Sequence, residues 1–560
     1  MRQHILAAAL AATVSTLAIG QNLHPTVEVT NAYEGGASSI VKPQQKMAVP
    51  DSVMAFNLDF DYSVFEKPYQ GAYEFKPYHV QLKPRPNPST ENAFYLRAGA
   101  GYTFHPDFDL AWSPVRKEKF QLGVHASHHS YFGRYHLQDP ADEEGIRVFR
   151  KTGEKMSGYR MDTRVGVNGG YGWDGGSAIL DVAYRHQGAE DSYLQQKAGG
   201  VEVQGRVRSF PSDEPHFLYD AAIDYHFLNG GYLKTLPVIT PSSQGWSESH
   251  FVLDGSFGPV FSADRRLLVD LDVTLARYGK DLAGYTGGLS VTPKYEFSLD
   301  DWRFSLGLRL ASLIYSDNWA YEKPKSGFIF PAVKVDYRLL DDRLILQASA
   351  TGGDRVQAWS DLMDRRPFVP FADFTHSLER IRAMLGARGN ISSRFRYDLQ
   401  AGYARWSRAP LDGFRLSDGI YQPAVYDAAF HLLFAELDYG WKSGQVSVDG
   451  KMAYRWTDVA EECVFAPAAF SGKLVPAYHW GERFKAGMDL SWATSRRTAY
   501  RGSDYVLPGW LDFGLFAEYM PTHHFGLWLK GGNLLNQTIQ RMPLRAEAGI
   551  CLTAGVLLTF

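Results

Sequence analysis

Cysteine is scarce in this chain, and so are long hydrophobic runs and an excess of charge of one sign. Cys463 and Cys551 are the only cysteines among 560 residues, so a disulfide framework is excluded. After residue 20, no apolar run approaches the roughly 18 residues that a transmembrane helix needs, which argues against a helical membrane protein. The formal net charge of −3 offers no basic face, so we expect no nucleic-acid partner.

The N-terminus has the pattern of an export signal. A short basic region, Met1–His4, precedes an apolar stretch from Ile5 to Ile19, and small residues stand at Ala18 and Gly20. This pattern predicts a secretory signal peptide over residues 1–20, cleaved before Gln21 and exported through the Sec pathway.

From residue 92 onward, apolar and polar residues alternate over long segments. In the segment from Trp302 to Leu310, Trp, Phe and Leu occupy one face, and Arg, Ser and Gly occupy the other. Such alternation indicates β-strands. The segments are about twice the usual strand length of five or six residues, which favours strands that cross a bilayer over a soluble sandwich. The sequence thus predicts an all-β, transmembrane, antiparallel up-and-down β-barrel over residues 92–560.

Short and long links alternate along this region, as they do in outer-membrane barrels. The expected short links lie at 262–264, 300–301, 341–342, 390–393, 442–444 and 521–524. The expected long links lie at 133–154, 229–245, 316–325, 356–375, 407–426 and 496–506. His105 and Pro106 form an expected tight turn in the first hairpin. We count about 22 strands, and an even number places both chain ends in the periplasm.

The C-terminus is expected to form one long strand from Leu544 to Phe560, with an unbroken apolar face. A terminal aromatic after such alternation resembles the signal that barrel-assembly machinery recognises. The residues that carry this signal are Leu552, Val556, Leu558 and Phe560.

Just upstream, the segment Gly531–Gln537 contains Asn533-Leu534-Leu535-Asn536. The chain here resembles the TonB-dependent receptors, which often carry an Asn-Leu-Leu/Phe-Asn/Asp motif at the end of the penultimate strand. That resemblance implies a 22-stranded barrel in the outer membrane of Gram-negative bacteria, in agreement with the independent strand count.

The segment at 21–91 departs from those receptors. Thr26, Val27, Glu28, Val29 and Thr30 resemble a TonB box, with an edge strand or tail as the alternative. Only about 60 residues, rich in Pro and aromatics, separate this stretch from the barrel. Because a receptor plug exceeds a hundred residues, the chain resembles a plugless receptor barrel. Residues 21–91 then form a reduced, plug-like segment that lines the lumen or binds a periplasmic partner.

Residues with catalytic or metal-binding potential are few. His125, His128 and His129 cluster, but His128 faces away from the other two, which lie about 13 Å apart on a strand. We therefore expect no metal site, cofactor or enzymatic activity. Several tryptophans are expected to belong to aromatic girdles at the membrane interface, namely Trp173, Trp302, Trp492, Trp510 and Trp528.

One predicted outer loop combines aromatic residues with arginines: Trp359, Arg365, Arg366, Phe368, Phe371 and Phe374. Exposed aromatics beside arginine are typical of recognition surfaces. The loop therefore predicts contact with a partner or substrate, and the alternative is that it folds inward and narrows the pore.

Two functional hypotheses follow. The first is a channel or nutrient-uptake barrel that resembles a TonB-dependent receptor without a full plug. The second is a non-transporting scaffold that binds envelope or secretion-machinery partners through residues 21–91 or the outer loops. The expected partners are outer-membrane lipid, barrel-assembly machinery and either a TonB-type energy-coupling protein or periplasmic and lipoprotein partners.

Overall fold

A computed structural model describes residues 93–117, 119–190, 194–210, 215–234, 245–281, 283–316, 327–340, 343–368, 376–417, 419–481, 483–547 and 549–560. The predicted signal peptide, TonB-box-like stretch and segment 21–91 lie outside these residues. Within the described part of the chain, no helix is long and apolar enough to cross a membrane.

The described residues form 24 strands and one short helix, α1 (Trp359–Arg365). The strands are β1 (Phe94–Tyr102), β2 (Asp107–Arg116), β3 (Phe120–Glu143), β4 (Ile146–Trp173), β5 (Gly176–Glu190), β6 (Gln195–Ser209), β7 (His216–Lys234), β8 (Gly245–Ser262), β9 (Arg265–Lys280), β10 (Gly284–Leu299), β11 (Trp302–Tyr315), β12 (Gly327–Leu340), β13 (Leu344–Val356), β14 (His376–Ser392), β15 (Phe395–Ser417), β16 (Ile420–Ser443), β17 (Val446–Thr457), β18 (Phe470–Trp480), β19 (Phe484–Ala493), β20 (Arg496–Tyr500), β21 (Ser503–Leu507), β22 (Trp510–Tyr519), β23 (Phe525–Gly532) and β24 (Cys551–Thr559).

Twenty-two of these strands close into an antiparallel barrel. Consecutive strands pair along the chain, β19 pairs with β22, and β24 pairs with β1 to close the ring. The remaining two strands, β20 and β21, form a hairpin of their own in the link between β19 and β22. The predicted barrel and its strand count are therefore confirmed.

The two ends of the barrel differ in the length of their links. At the short-turn end, the chain enters at Phe94 and leaves at Phe560, and these two residues exchange backbone hydrogen bonds of 2.8 and 2.9 Å. The turns at 263–264, 300–301 and 444–445 lie at the same end, as expected. The longer links and α1 lie at the opposite, long-loop end.

The alternating side chains sort into an apolar outer face and a polar lumen face. On β11, Leu306, Leu308 and Leu310 are exposed on the outside, whereas Arg309 on the opposite face is mostly buried. This arrangement suits a wall with lipid on one side and a polar interior on the other, because strand side chains alternate with a period of two.

An aromatic girdle follows the short-turn end, where ring pairs recur at strand ends. Trp302 stacks on Tyr337 at 4.3 Å, and Tyr171 stacks on Trp173 at 6.1 Å. The girdle prediction is wrong for Trp528, which lies on the lumen face and is 5% exposed. A Cβ atom at Gly99 would come within 2.4 Å of its ring, so glycine is required where this indole crosses the β1–β24 seam.

Two hairpins rise far above the rest of the barrel at the long-loop end. β3 and β4 contain 24 and 28 residues, and β15 and β16 contain 23 and 24, although about 9–11 residues suffice to cross a bilayer. The expected links at 133–154 and 407–426 are therefore wrong, because both segments continue as paired strands around tight turns. The expected long link at 496–506 does lie between the barrel strands β19 and β22, and it contains the β20–β21 hairpin.

These tall hairpins meet other links in a buried aromatic cluster, here called the cap. It consists of Phe149, Phe414, Cys463, Phe465, Tyr505, Leu507 and Leu544. β21 pairs in parallel with the tip of β4, which ties the two parts together. Burial raises the pKa of the Cys463 thiol in this cap to about 11.

The cap also explains why the last strand is shorter than expected. The predicted strand from Leu544 to Phe560 begins only at Cys551, where β24 starts, so the prediction is wrong for the residues before Cys551. Leu544 has a φ of 64° and is 4% exposed, so it leaves the extended conformation and packs in the cap. The four residues of the predicted assembly signal lie on or just after β24, and their recognition role stays a prediction.

Candidate functional site

The candidate site is the lumen at the long-loop end, where residues 357–368 fold inward. We call this stretch the inward loop. It contains α1, whose buried residues Trp359, Leu362 and Met363 follow the spacing of one helix face. That face packs on small and apolar side chains of the lumen wall, namely Leu194, Ala198, Leu228, Trp246, Ala276 and Tyr278.

Polar contacts fix the start of α1 against the wall. The backbone N–H of Trp359 donates to Glu248 Oε2 at 2.8 Å and to the Tyr278 hydroxyl at 3.1 Å. The backbone N–H of Ser360 donates to the same Glu248 oxygen at 3.2 Å. Glu248 is fully buried, so one carboxylate on β8 accepts from two backbone donors at the helix start that have no partner within the helix.

The end of α1 is held by charge. Both terminal nitrogens of Arg185 on β5 donate to the Asp364 carboxylate at 3.0 Å, and Arg185 also pairs with Asp162 at 2.8 Å. Gln196 of β6 donates to the Pro367 carbonyl. On the other side, Arg366 forms an ion pair with Asp412 of β15. The inward loop therefore spans the lumen from the β5–β9 wall to the β15 hairpin.

The predicted contact residues of this loop have different surroundings. Trp359 and Phe368 are buried, 2% and 8% exposed, and Phe368 packs on Tyr135 at 5.5 Å. Arg365 donates to Gln357 at 3.2 Å, and Phe371 and Phe374 lie outside the described residues. The loop thus takes the inward alternative, and contact of its residues with a substrate or partner stays a prediction.

Paired charges line the lumen below the inward loop. Arg309 lies 3.6 Å from Asp272 and 3.9 Å from Asp354, and Lys294 lies 2.7 Å from Asp270. These pairs place both signs along the wall. A polar solute that passes through the lumen would meet alternating donors and acceptors.

The histidines that cluster in the sequence separate in space. His125 pairs with Asp181 at 3.4 Å, and His129 pairs with Asp107 at 3.0 Å. His128 lies on the other face and bonds Thr163 at 2.7 Å. Each of the three therefore contacts a different side chain, and the expectation that they hold no metal together stays a prediction.

Neither α1 nor the residues that hold it were predicted from the sequence. The Trp359-x-x-Leu362-Met363 spacing is a helical signal that was present in the sequence. Glu248 and Arg185 carry no local signal, because the loop that each of them holds lies more than a hundred residues further along the chain.

Comparisons by sequence identify no relative. No protein-family model matches the chain, and no curated protein sequence matches it.

Comparisons by structure give a consistent result. The siderophore receptor PirA from Acinetobacter baumannii has a TM-score of 0.59 at 9% identity, covering 83% of this chain and 80% of that one. The FrpB iron transporter from Neisseria meningitidis has a TM-score of 0.62 at 10% identity, with 84% and 81% covered. The copper transporter OprC has a TM-score of 0.60 at 14% identity, with 84% and 80% covered.

The chain has the barrel fold of TonB-dependent receptors. This agrees with the resemblance seen at Asn533–Asn536, where Asn533 donates to the Gln537 carbonyl at 2.9 Å just after β23. The neighbours are described as receptors and transporters. At 9–14% identity, the likeness concerns the fold.

Proposed function

We propose that this protein is an outer-membrane uptake barrel whose lumen is gated at the long-loop end by the inward loop. One observation carries the proposal: a closed 22-stranded barrel with a polar, charge-lined lumen is bridged from wall to wall by α1 and its flanking residues. A lumen lined with polar side chains suits the passage of polar solutes. A loop fixed across that lumen suits regulated passage better than free diffusion.

We further propose that residues 21–91 occupy the lumen as a reduced plug. Barrels of about 22 strands enclose a lumen that is wide enough to need a plug. The inward loop contributes only the stretch 357–368 as described, so most of the lumen requires another occupant. In support of this proposal, β1 begins at the short-turn end, and the Pro- and aromatic-rich segment precedes β1 in the sequence.

Orientation and energy coupling belong to the same proposal. With the short-turn end in the periplasm, both chain ends face the compartment in which a TonB-type protein works, and Thr26–Thr30 is the stretch it would engage. The neighbours' names mention siderophore, iron and copper. We propose that the solute taken up is a nutrient of this kind, a metal ion or its complex.

The test is solute flux through proteoliposomes that contain the mature chain or a variant lacking residues 21–91. We expect slow entry of small sugars with the mature chain and fast entry with the shortened one. Equal, slow entry through two barrels that are both verified as folded would contradict the uptake function.

The scaffold hypothesis has support from a different observation. Seven aromatics lie between Phe56 and Gln81 in a Pro-rich stretch, which is typical of a segment that binds a partner. It predicts that an envelope protein co-purifies with the barrel and is lost when residues 56–81 are deleted. Unchanged solute flux together with loss of that partner would favour the scaffold over the uptake barrel.

A further inference from the structure

We propose that His226, Glu248 and His250 bind one divalent transition-metal ion on the lumen wall, at the place where the inward loop is held. His226 of β7 and His250 of β8 are direct register partners, and Glu248 lies two residues before His250 on the same face. The centroids of the two imidazole rings lie 4.6 Å apart, and the ligand atoms of the three side chains lie within 4.8 Å of one another.

The first independent observation is the state of His250. Its side chain is buried, 5% exposed, and its Nε2 atom has no hydrogen-bond partner among the described residues. A buried polar nitrogen without a partner is unfavourable, by about 1–3 kcal/mol in proteins. A metal ion coordinated by that nitrogen removes this penalty.

The second observation is the arrangement of Glu248. Its Oε2 atom accepts the two backbone N–H groups of the inward loop, which fixes the orientation of the carboxylate. Its Oε1 atom points to His226 Nε2 at 2.9 Å, within the space between the two histidines. One oxygen is therefore engaged in orienting the group, and the other would exchange its hydrogen bond with His226 Nε2 for a bond to the metal.

The donor set fits a specific class of metal. Two imidazoles and one carboxylate suit Zn²⁺, Cu²⁺ or Fe²⁺, and leave a position for water or a further ligand. Tetrahedral ligands at bond lengths of about 2.1 Å lie about 3.4 Å apart, and the ligand atoms here lie within 4.8 Å of one another, so no pair needs to approach by more than about 1.4 Å. Ser360 Oγ also lies 2.9 Å from His226 Nε2, so a metal ion bound by that nitrogen would replace this hydrogen bond.

A second group of acids and histidine provides a contrast. Asp107, Asp109 and His129 also lie within the same limit of one another. There, His129 is half exposed and both of its ring nitrogens already lie near carboxylates, at 3.0 and 3.4 Å. With no unpartnered ring nitrogen, this group has no comparable reason to take a metal, and His129 serves as the matched control.

The experiment measures metal content and affinity of the refolded, full-length barrel without an affinity tag. After equilibration with Zn²⁺ and dialysis, we expect one zinc ion per barrel by elemental analysis. The His250→Gln and Glu248→Gln variants are expected to lower the affinity, measured by calorimetry, by more than about 100-fold, since loss of a supporting group alone costs about 10- to 100-fold. The His129→Gln variant is expected to keep wild-type affinity.

A spectroscopic signature identifies the ligands directly. With Cu²⁺, the electron paramagnetic resonance spectrum is expected to show hyperfine coupling to two imidazole nitrogens, reduced to one in His250→Gln. Should that variant fail to fold, as judged by heat-modifiable gel mobility, His226→Gln takes its place, with the same expected reduction to one imidazole nitrogen. Absence of stoichiometric metal in the wild-type barrel, or unchanged affinity in both folded ligand variants, would overturn the proposal.

Discussion

The barrel wall and the cap share the tall strands β4 and β15, and they follow different rules. In the wall, one face of β11 meets lipid and the other meets the lumen, so Leu308 is 55% exposed to the membrane side. In the cap, the upper parts of β4 and β15 bring Phe149 and Phe414 together at 5.4 Å, and both side chains are fully buried. The wall thus depends on lipid for its apolar surface, and the cap has its own core.

The wall and the cap differ in the length of their strands, and the alternation of apolar and polar residues does not distinguish them. About ten residues of β3 pair with β2, and the rest of β3 pairs with β4 alone above the first hairpin. Residues beyond the length of a bilayer crossing need another apolar environment. The aromatic side chains of the cap provide that environment for each other.

The largest effect is expected from Phe414→Ala, which removes a side chain from the centre of the cap. Burial of this ring and its contacts with Phe149, Tyr421 and Tyr505 predict a loss of about 3–5 kcal/mol in cap stability. We expect rapid trypsin cleavage in the tall hairpins while the wall stays folded. Leu308→Ala on the lipid face is the control, and equal cleavage of both variants would show that the cap has no separate core.

The second prediction concerns the wall. Leu308→Arg places a charge on the lipid face near the middle of β11, which is expected to lower the free energy of unfolding by about 2–4 kcal/mol. Urea unfolding in lipid vesicles measures this change. The cap should keep its wild-type protease resistance below the unfolding transition. An unchanged unfolding midpoint would mean that this face does not contact lipid.

The third prediction concerns the inward loop, which links the wall and the cap. Asp364→Ala removes the loop carboxylate that pairs with Arg185. Arg185 keeps its ion pairs with Asp162 and Glu202. We expect the loop's opening free energy to fall by about 1–2 kcal/mol, since the pair is partly exposed. Trypsin cleavage after Arg365 should become faster by about 5- to 30-fold.

Asp174→Ala is the matched control for that variant. It removes an ion pair with Lys119 at the short-turn end, where Asp174 is 96% exposed. Cleavage at Arg365 should not change. If both variants behave alike, the Arg185 contact does not hold the loop.

The smallest effect is expected for the cap thiol. In a Cys551→Ser background, Cys463 should react very slowly with iodoacetamide at pH 8, because burial keeps the thiol inaccessible and raises its pKa to about 11. The rate should rise with pH up to that value and should increase strongly in the Phe414→Ala variant. Fast alkylation of the folded wild-type cap at pH 8 would contradict its burial.

The wall was predictable from the sequence because its rule is local. Trp302–Leu310 alternates residue by residue, so its strand, its lipid face and its lumen face all follow from neighbours along the chain. The cap was misassigned as long links at 133–154 and 407–426. Its polar, Pro-containing strands gain stability from rings such as Phe465 and Tyr505 that come from distant links.

The candidate site was only partly predictable, for the same reason. The stretch from Trp359 stood out by composition, and the inward alternative was recognised. The residues that contact this stretch could not be predicted from the sequence, because Glu248, Arg185 and Asp412 lie on three separate strands. Their meeting depends on the closure of the whole barrel.

The central claim is that the inward loop and residues 21–91 together close a transport lumen. The most direct measurement is single-channel conductance in planar bilayers of four barrels: the mature chain, one with residues 358–374 replaced by a short Gly-Ser linker, one without residues 21–91, and one with both changes. We predict little current from the mature chain, intermediate currents from the single variants and the largest from the double variant. Equally small currents from four verified folded barrels would contradict the claim.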